Sequence, residues 1–206
     1  MKFLSELKLV YIKGDYFRYI SSFDQNIYYD ENNPNYPKKP HLGLLMENNG
    51  MLYVIPLTSA KPKHIFWKDN GADYIKIYEI VDLTKDRILT NDVLADIKNQ
   101  DLIRSIPDFD ASKYKQKILS ILDMRKMFPV KKGVFENAEI SMGGNTELRR
   151  RSGLLIKELL FLKSRKSEIE KKADKIYKKQ TLTGKVNRGY TNFSILEKAC
   201  ENYIAK

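Results

Sequence analysis

Two apolar, strand-forming runs, residues 42–46 and 51–57, are separated only by Glu47-Asn48-Asn49-Gly50. Asn and Gly accept positive φ at little cost, so this spacing predicts a β-hairpin, and a hairpin commits the chain around it to an antiparallel sheet. Residues 7–13 read as a further strand and 15–23 as a helix opened by Gly14 and Asp15, while 32–40, with Pro34, Pro37 and Pro40, reads as an extended loop. In the middle, 74–80 reads as a strand, 91–106 and 112–122 as helices, 121–130 as a return to the sheet and 131–145 as turn-rich chain. Beyond Thr146 the apolar residues Leu155, Leu159, Leu162, Ile169, Ala173 and Ile176 recur by threes and fours or their sum. That period predicts one helix over 154–180, about 40 Å long, with an apolar stripe on the sheet and a Lys/Arg-rich opposite face. A last helix spans 193–203, with Asn192 or Ser194 as its cap. No repeat, low-complexity tract or linker divides the 206 residues, so a single α+β domain is expected.

Charge narrows the partners. The net charge is +11, and residues 141–206 hold 16 basic and 7 acidic side chains, so the last third supplies +9 of it. Between Asp69 and Asp110 the sign reverses, with 10 acidic residues against 5 basic. Positive charge segregated in this way attracts phosphate backbones or anionic membranes; a merely solvated face stays open as a third reading. No stretch approaches the roughly 18 apolar residues of a membrane span, and residues 1–13 lack the apolar run of a signal peptide. A cytoplasmic protein without membrane contact is expected. The lone Cys200 with His41 and His64 forms neither an intramolecular disulfide nor a Cys/His zinc cluster, and no metal or cofactor is expected.

The densest group of reactive side chains follows the second hairpin strand: Thr58, Ser59, Lys61, Lys63 and His64 within seven residues, interrupted by Ala60 and Pro62. Ser, Thr, Lys and Pro are also ordinary turn residues, so a loop without function is the competing reading. These groups nevertheless suit metal-free RNA cleavage, in which the 2′-hydroxyl attacks the adjacent phosphate. Lysines stabilise phosphate charge, and hydroxyls or imidazole position protons. The chain has no GxxxxGK[ST] phosphate loop, GxGxxG fingerprint or GxSxG elbow.

The sequence resembles the endoribonuclease toxins of type III toxin–antitoxin systems, the ToxN/AbiQ-like group. Asp15-Tyr16-Phe17-Arg18-Tyr19-Ile20 with Phe23-Asp24 is similar to the family's amino-terminal signature. Pro40-His41-Leu42-Gly43-Leu44-Leu45 through Tyr53 to His64 is similar to its hairpin and following motif. Leu122-Asp123-Met124-Arg125-Lys126-Met127-Phe128-Pro129-Val130 resembles its Met-Ile-Pro-Val strand. Glu158-Leu159-Leu160-Phe161-Leu162 and Thr191-Asn192-Phe193-Ser194-Ile195-Leu196-Glu197 resemble its carboxy-terminal helices. Ala60 and Asp123 depart from the pattern, standing where Pro and Asn are usual.

The resemblance implies a MazF/Kid-like fold, a strongly curved antiparallel sheet with helices packed around it. It implies metal-independent, sequence-preferring RNA cleavage to 2′,3′-cyclic phosphate and 5′-hydroxyl ends in abortive infection against phage. The partners it implies are cellular or phage RNA and an inhibitory antitoxin RNA, a pseudoknot excised from a repeat transcript and assembling with the toxin. Thr58, Ser59 and Lys61 are then catalytic, with Tyr16 projecting into the same groove. Lys39 and Lys63 are expected to touch RNA, His64 to support the loop or touch RNA, and Arg149, Arg150, Arg151, Lys163, Arg165 and Lys166 are candidates for further phosphate contacts. The acidic stretch, about 65–118, is expected to be a mostly helical insertion on a face away from RNA. The rivals are a non-catalytic RNA-binding protein and a membrane-surface protein.

Overall fold

A computed structural model describes residues 1–4, 7–30, 32, 43–48, 50–138, 140–141 and 143–204. The hairpin is present: β3 (Gly43–Asn48) pairs with β4 (Met51–Ser59) from Gly43↔Pro56 to Asn48↔Met51, and Gly50 sits at φ +79° in the turn. The proline-rich loop, Lys39 and His41 lie outside the described residues.

The other strands are β1 (Lys2–Phe3), β2 (Leu9–Ile12), β5 (Tyr74–Asp82), β6 (Val93–Ala95), β7 (Tyr114–Asp123), β8 (Phe128–Val130) and β9 (Phe135–Asn137). They form one strongly curled antiparallel sheet in the order β5-β7-β4-β3-β2-β9, with β1 on β3, β6 on β7 and β8 on β4. One edge of β4 is covered by two successive strands: β8 faces Leu52, Tyr53 and Val54, and β7 faces Leu57, Thr58 and Ser59. Pro56, which has no N–H to give a ladder, lies between the two stretches. The 3-10 turn Met124–Lys126, held by Asp123 accepting from the Arg125 N–H at 3.1 Å, absorbs the extra residues on the β7–β8 side.

Alternation along the strands sends side chains into two layers. Tyr53, Ile55, Ile75, Ile77 and Leu122 pack under α3 (Thr146–Ser164) and α4 (Lys166–Thr183), against Leu155, Leu162, Ile169 and Ala173. Val10, Ile12, Val54, Phe128 and Val130 pack on the opposite face against α1 (Gly14–Ser21) and α5 (Phe193–Asn202). Asn192 accepts from the Ile195 N–H and caps α5, one of the two expected caps. Gly184, at φ +64°, ends α4 with its N–H on the Gln180 carbonyl at 2.8 Å.

Three expectations are corrected. The stretch 112–122 is not a helix, because β7 occupies Tyr114–Asp123, paired with β4 on one side and β5 on the other. Of 91–106, only α2 (Gln100–Ser105) is helical, after β6, so the acidic stretch extends the sheet rather than adding a helical insertion. The single basic helix over 154–180 is two helices that meet at Arg165, whose φ of −111° and ψ of 11° leave the helical region. The Arg165 N–H bonds to the Leu162 carbonyl at 3.1 Å, a three-residue step in place of the four-residue one, and Leu162 and Ile169 are both buried. No helix among the described residues is long and apolar enough to cross a membrane.

Candidate active site

The last three residues of β4, Leu57, Thr58 and Ser59, oppose Leu122, Ile121 and Ser120 of β7. Directly paired residues share a face and neighbours along a strand do not. Thr58 therefore lies on the face of Ile121, and Ser59 on the face of Ser120. Both hydroxyl residues are exposed, because the ladder ends there.

The chain then leaves the sheet through Ala60 and Lys61 into the 3-10 turn Pro62–Phe66. Pro62 suits the first position, where an N–H would have no partner. A reciprocal pair of bonds closes the turn: the His64 N–H donates to the Lys61 carbonyl at 2.8 Å, and the Lys61 N–H donates to His64 Nδ1 at 3.0 Å. Nδ1 accepts, so it carries no proton. Burial of the ring, then the ammonium groups of Lys63, Lys61 and Lys76, push the His64 pKa down and keep it neutral. With 2% exposure His64 has little surface to offer RNA, and of its two expected roles the geometry fits support of the loop, since it holds the Lys61 backbone in place. Lys61 and Lys63 are exposed on either side of Pro62.

Beneath the turn, Trp67 lies 4.6 Å from the His64 ring and 4.6 Å from the Tyr74 ring, with the Arg125 guanidinium 5.3 Å and Lys63 Nζ 5.9 Å from its centroid. Asp123, which departs from the family pattern, holds Arg125 in a two-pronged pair at 2.8 and 2.7 Å. The buried Lys76 donates to the Trp67 carbonyl at 2.6 Å and pairs with Asp69 at 3.3 Å. Fixed cations and rings tilted against one another thus form the floor of the loop.

Tyr16 does not join this group. Its side chain is fully buried on the α1/α5 face, and its hydroxyl donates to the Pro129 carbonyl at 2.7 Å. Pro129 opposes Tyr53, and Thr58 lies five residues further along β4, about 17 Å at the strand rise of roughly 3.3 Å per residue. Burial also pushes the Tyr16 pKa up, so the phenol stays protonated. The expected projection of Tyr16 into the loop groove is corrected: it is a core residue.

The basic candidates on the helices divide. Arg149, Arg150, Lys163 and Lys166 are exposed along α3 and at the start of α4. The Arg151 guanidinium lies 5.1 Å from the Tyr11 ring, Arg165 pairs with Glu168 at 3.1 Å, Arg149 Nε donates to the Gly144 carbonyl at 3.1 Å and Lys166 Nζ lies 5.7 Å from the Phe3 ring, so these four also have partners within the protein.

Two groups escaped the sequence reading. Ser120 is the register partner of Ser59 yet is buried, and Glu158 of α3, 2% exposed, points at it from the helix layer. Glu158 Oε2 and Ser120 Oγ complete no hydrogen bond among the described residues. Burial pushes the Glu158 pKa up to about 7, with the Ser120 hydroxyl opposing. The only signal in the sequence was a glutamate inside the apolar run 154–162. Ser120 had none, because strand register alone brings it beside Ser59.

Solved structures that share this architecture come from type III toxin–antitoxin systems. One, from work on selective toxin inhibition by a non-coding RNA pseudoknot, superposes with a TM-score of 0.65 at 19% identity over 97% of this chain and 98% of that one. Another is AbiQ, a lactococcal anti-phage endoribonuclease, with a TM-score of 0.58 at 16% identity over 96% and 97% of the two chains. At these identities the likeness establishes the fold. The chain itself belongs to the ToxN toxin family of type III toxin–antitoxin systems, whose profile matches residues 8–201. It is 22% identical to Endoribonuclease ToxN of Pectobacterium atrosepticum over 197 residues, 96% of this chain and 94% of that protein. It is 24% identical to Endoribonuclease ToxN of Bacillus thuringiensis subsp. kurstaki over 200 residues, 93% and 81% of the two chains.

Proposed function

We propose that the protein is a metal-independent, sequence-preferring endoribonuclease toxin, cytoplasmic, and held inactive by a small pseudoknot RNA that assembles with it. The observation that carries this reading is the exposed Thr58-Ser59-Ala60-Lys61 segment at the end of β4, immobilised by the His64–Lys61 lock. Relatives named as endoribonucleases and a neighbour inhibited by an RNA pseudoknot support it.

In the proposed reaction the RNA's 2′-oxygen attacks the adjacent phosphorus and the bond to the 5′-oxygen breaks, which leaves a 2′,3′-cyclic phosphate and a 5′-hydroxyl. The proton of the 2′-hydroxyl passes to the loop and the departing 5′-oxygen receives one, so no water is consumed. The Lys61 ammonium stabilises charge on the phosphate, and Thr58 and Ser59 contact it from the two faces of the strand end. His64 stays neutral and orients Lys61 through its backbone. Lys63, Arg149, Arg150, Lys163 and Lys166 supply phosphate contacts whose strength falls with salt.

The test is incubation with adenine-rich RNA in excess EDTA, beside Ser59→Ala, with the product ends identified. Cleavage to cyclic phosphate by the wild type, and its loss in Ser59→Ala with RNA affinity kept, is expected. Binding without cleavage by both proteins would leave a non-catalytic RNA-binding protein.

A further inference from the structure

Phe66 is 85% exposed, more than any other large apolar side chain among the described residues. It ends the 3-10 turn that begins immediately after Lys61. In a 3-10 helix residues three apart eclipse one another, so side chains leave the turn in three rows, and Ile65 and the His64/Trp67 row face the protein while the Lys63/Phe66 row does not. The rings of His64 and Trp67 lie 4.6 Å apart. Lys63 and Phe66 are both exposed. The neighbouring Ile65 and Trp67 pack against the cluster of Val93, Ala95, Ile118 and Ile121, so the turn is anchored on both sides of Phe66 while the ring itself is left in water.

The surroundings select the ligand. Lys61, Lys63 and Lys68 are exposed within five residues of the ring, and Arg125 stands over Trp67 behind it. A rigidly mounted aromatic face among ammonium groups matches a single-stranded nucleic acid, whose bases offer π-faces and whose phosphates offer charge. A protein partner would instead be met by an apolar patch, and of the residues next to Phe66 in the turn Ile65 and Trp67 are turned onto the protein's own core while Lys63 and Lys68 are exposed cations.

We propose that Phe66 is a stacking platform for a base of the RNA strand lying across the Thr58–Lys61 segment, and so helps to determine which nucleotide sits beside the cleaved phosphate. This rests on the endoribonuclease reading above.

The experiment measures affinity of the full chain for 2′-O-methyl oligoadenosine and oligouridine, which lack the attacking hydroxyl, and cleavage of ordinary RNA in parallel. Stacking of one base is worth a factor of about 5 to 150 in affinity. Phe66→Ala should lose that factor on oligoadenosine and less on oligouridine, because purines stack more strongly; Phe66→Tyr should keep most of it. The salt dependence should keep its slope, since no phosphate contact is removed. Equal affinity of the wild type and Phe66→Ala for oligoadenosine, or an equal loss in Phe66→Tyr, overturns the proposal while wild-type cleavage leaves the enzyme reading intact. A wild type that neither binds nor cleaves RNA overturns both.

Discussion

Glu158→Gln should make the protein more stable at neutral and alkaline pH and leave it nearly unchanged in acid. The carboxyl of Glu158 is buried without a cation, and its pKa rises from 4.5 to about 7. The folded protein therefore holds this proton more tightly than the unfolded chain. Its contribution is fully present below pH 4.5 and is lost as pH rises through 7. Each tenfold difference in proton affinity corresponds to 1.36 kcal/mol, so ionised Glu158 costs about 3 kcal/mol above pH 7. At 2–4 °C per kcal/mol for a chain of this size, that is roughly 6–12 °C in Tm. The charged groups on the adjoining elements are occupied elsewhere: Lys157 pairs with Glu79, and Lys117 with Glu79 at 3.8 Å and Asp92 at 2.9 Å. Urea unfolding of wild type and Glu158→Gln at pH 5, 6, 7 and 8 checks the argument. The difference between the two proteins cancels every other titrating group, and it should grow from about 1 kcal/mol at pH 5 to about 3 kcal/mol at pH 8. A difference that stays constant across this range would mean that Glu158 titrates normally, and the reasoning from burial would fail.

The His64 lock predicts that His64→Phe, which fills the space but accepts nothing, costs about 1–3 kcal/mol in chemical denaturation and lowers cleavage, because the Lys61 N–H loses its acceptor. His64→Asn should recover part of the activity through its amide oxygen. Since the folded His64 pKa is lowered, its contribution is present above the ordinary value of 6.5 and is lost as pH falls through the folded value; stability and cleavage at acid pH should decline more steeply in the wild type than in His64→Asn. Tyr16→Phe leaves the buried Pro129 carbonyl without its donor, so Tm should fall in proportion to about 1–3 kcal/mol while the folded protein still cleaves RNA; loss of cleavage at full stability would return Tyr16 to the chemistry. Gly184→Ala puts a Cβ at φ +64° with nothing within 4 Å to clash, so its cost is that of the left-handed backbone alone, about 1–2 kcal/mol by thermal melting.

The position of the candidate site follows from how β4 is shared. Along its first half the strand has β3 on one edge and β8 on the other, and beyond Pro56 its ladder passes to β7. Thr58 and Ser59 are therefore fixed by a ladder on one edge and exposed at the strand's end. Rigid backbone with free side chains is what positioning a phosphate demands. The following turn continues the same logic, since His64 and Trp67 anchor it inward and leave Lys61, Lys63 and Phe66 facing out.

Local sequence determined those features whose causes are local. Asn48 and Gly50 flank a turn that only a hairpin satisfies, Asn192 caps a helix with its own side chain, and Tyr16, Phe17 and Ile20 are spaced for one helical face. The reactive run from Thr58 to His64 was legible because its residue types stand together. Tertiary structure decided the rest. Ile118, Ile121 and Leu122 follow the three-and-four spacing of a helix, yet the segment is a central strand; with β4 and β5 on its two edges and apolar layers on both faces, the alternation that marks a strand is erased. No glycine or proline announces the break at Arg165, and the apolar period runs through it, since Leu162 and Ile169, seven residues apart, would share a face of one continuous helix as well. Tyr16 was placed in the core, and Ser120 beside Ser59, by strand register and by which face of the sheet each helix covers; both depend on contacts between residues far apart in the chain, and a linear sequence carries no record of them.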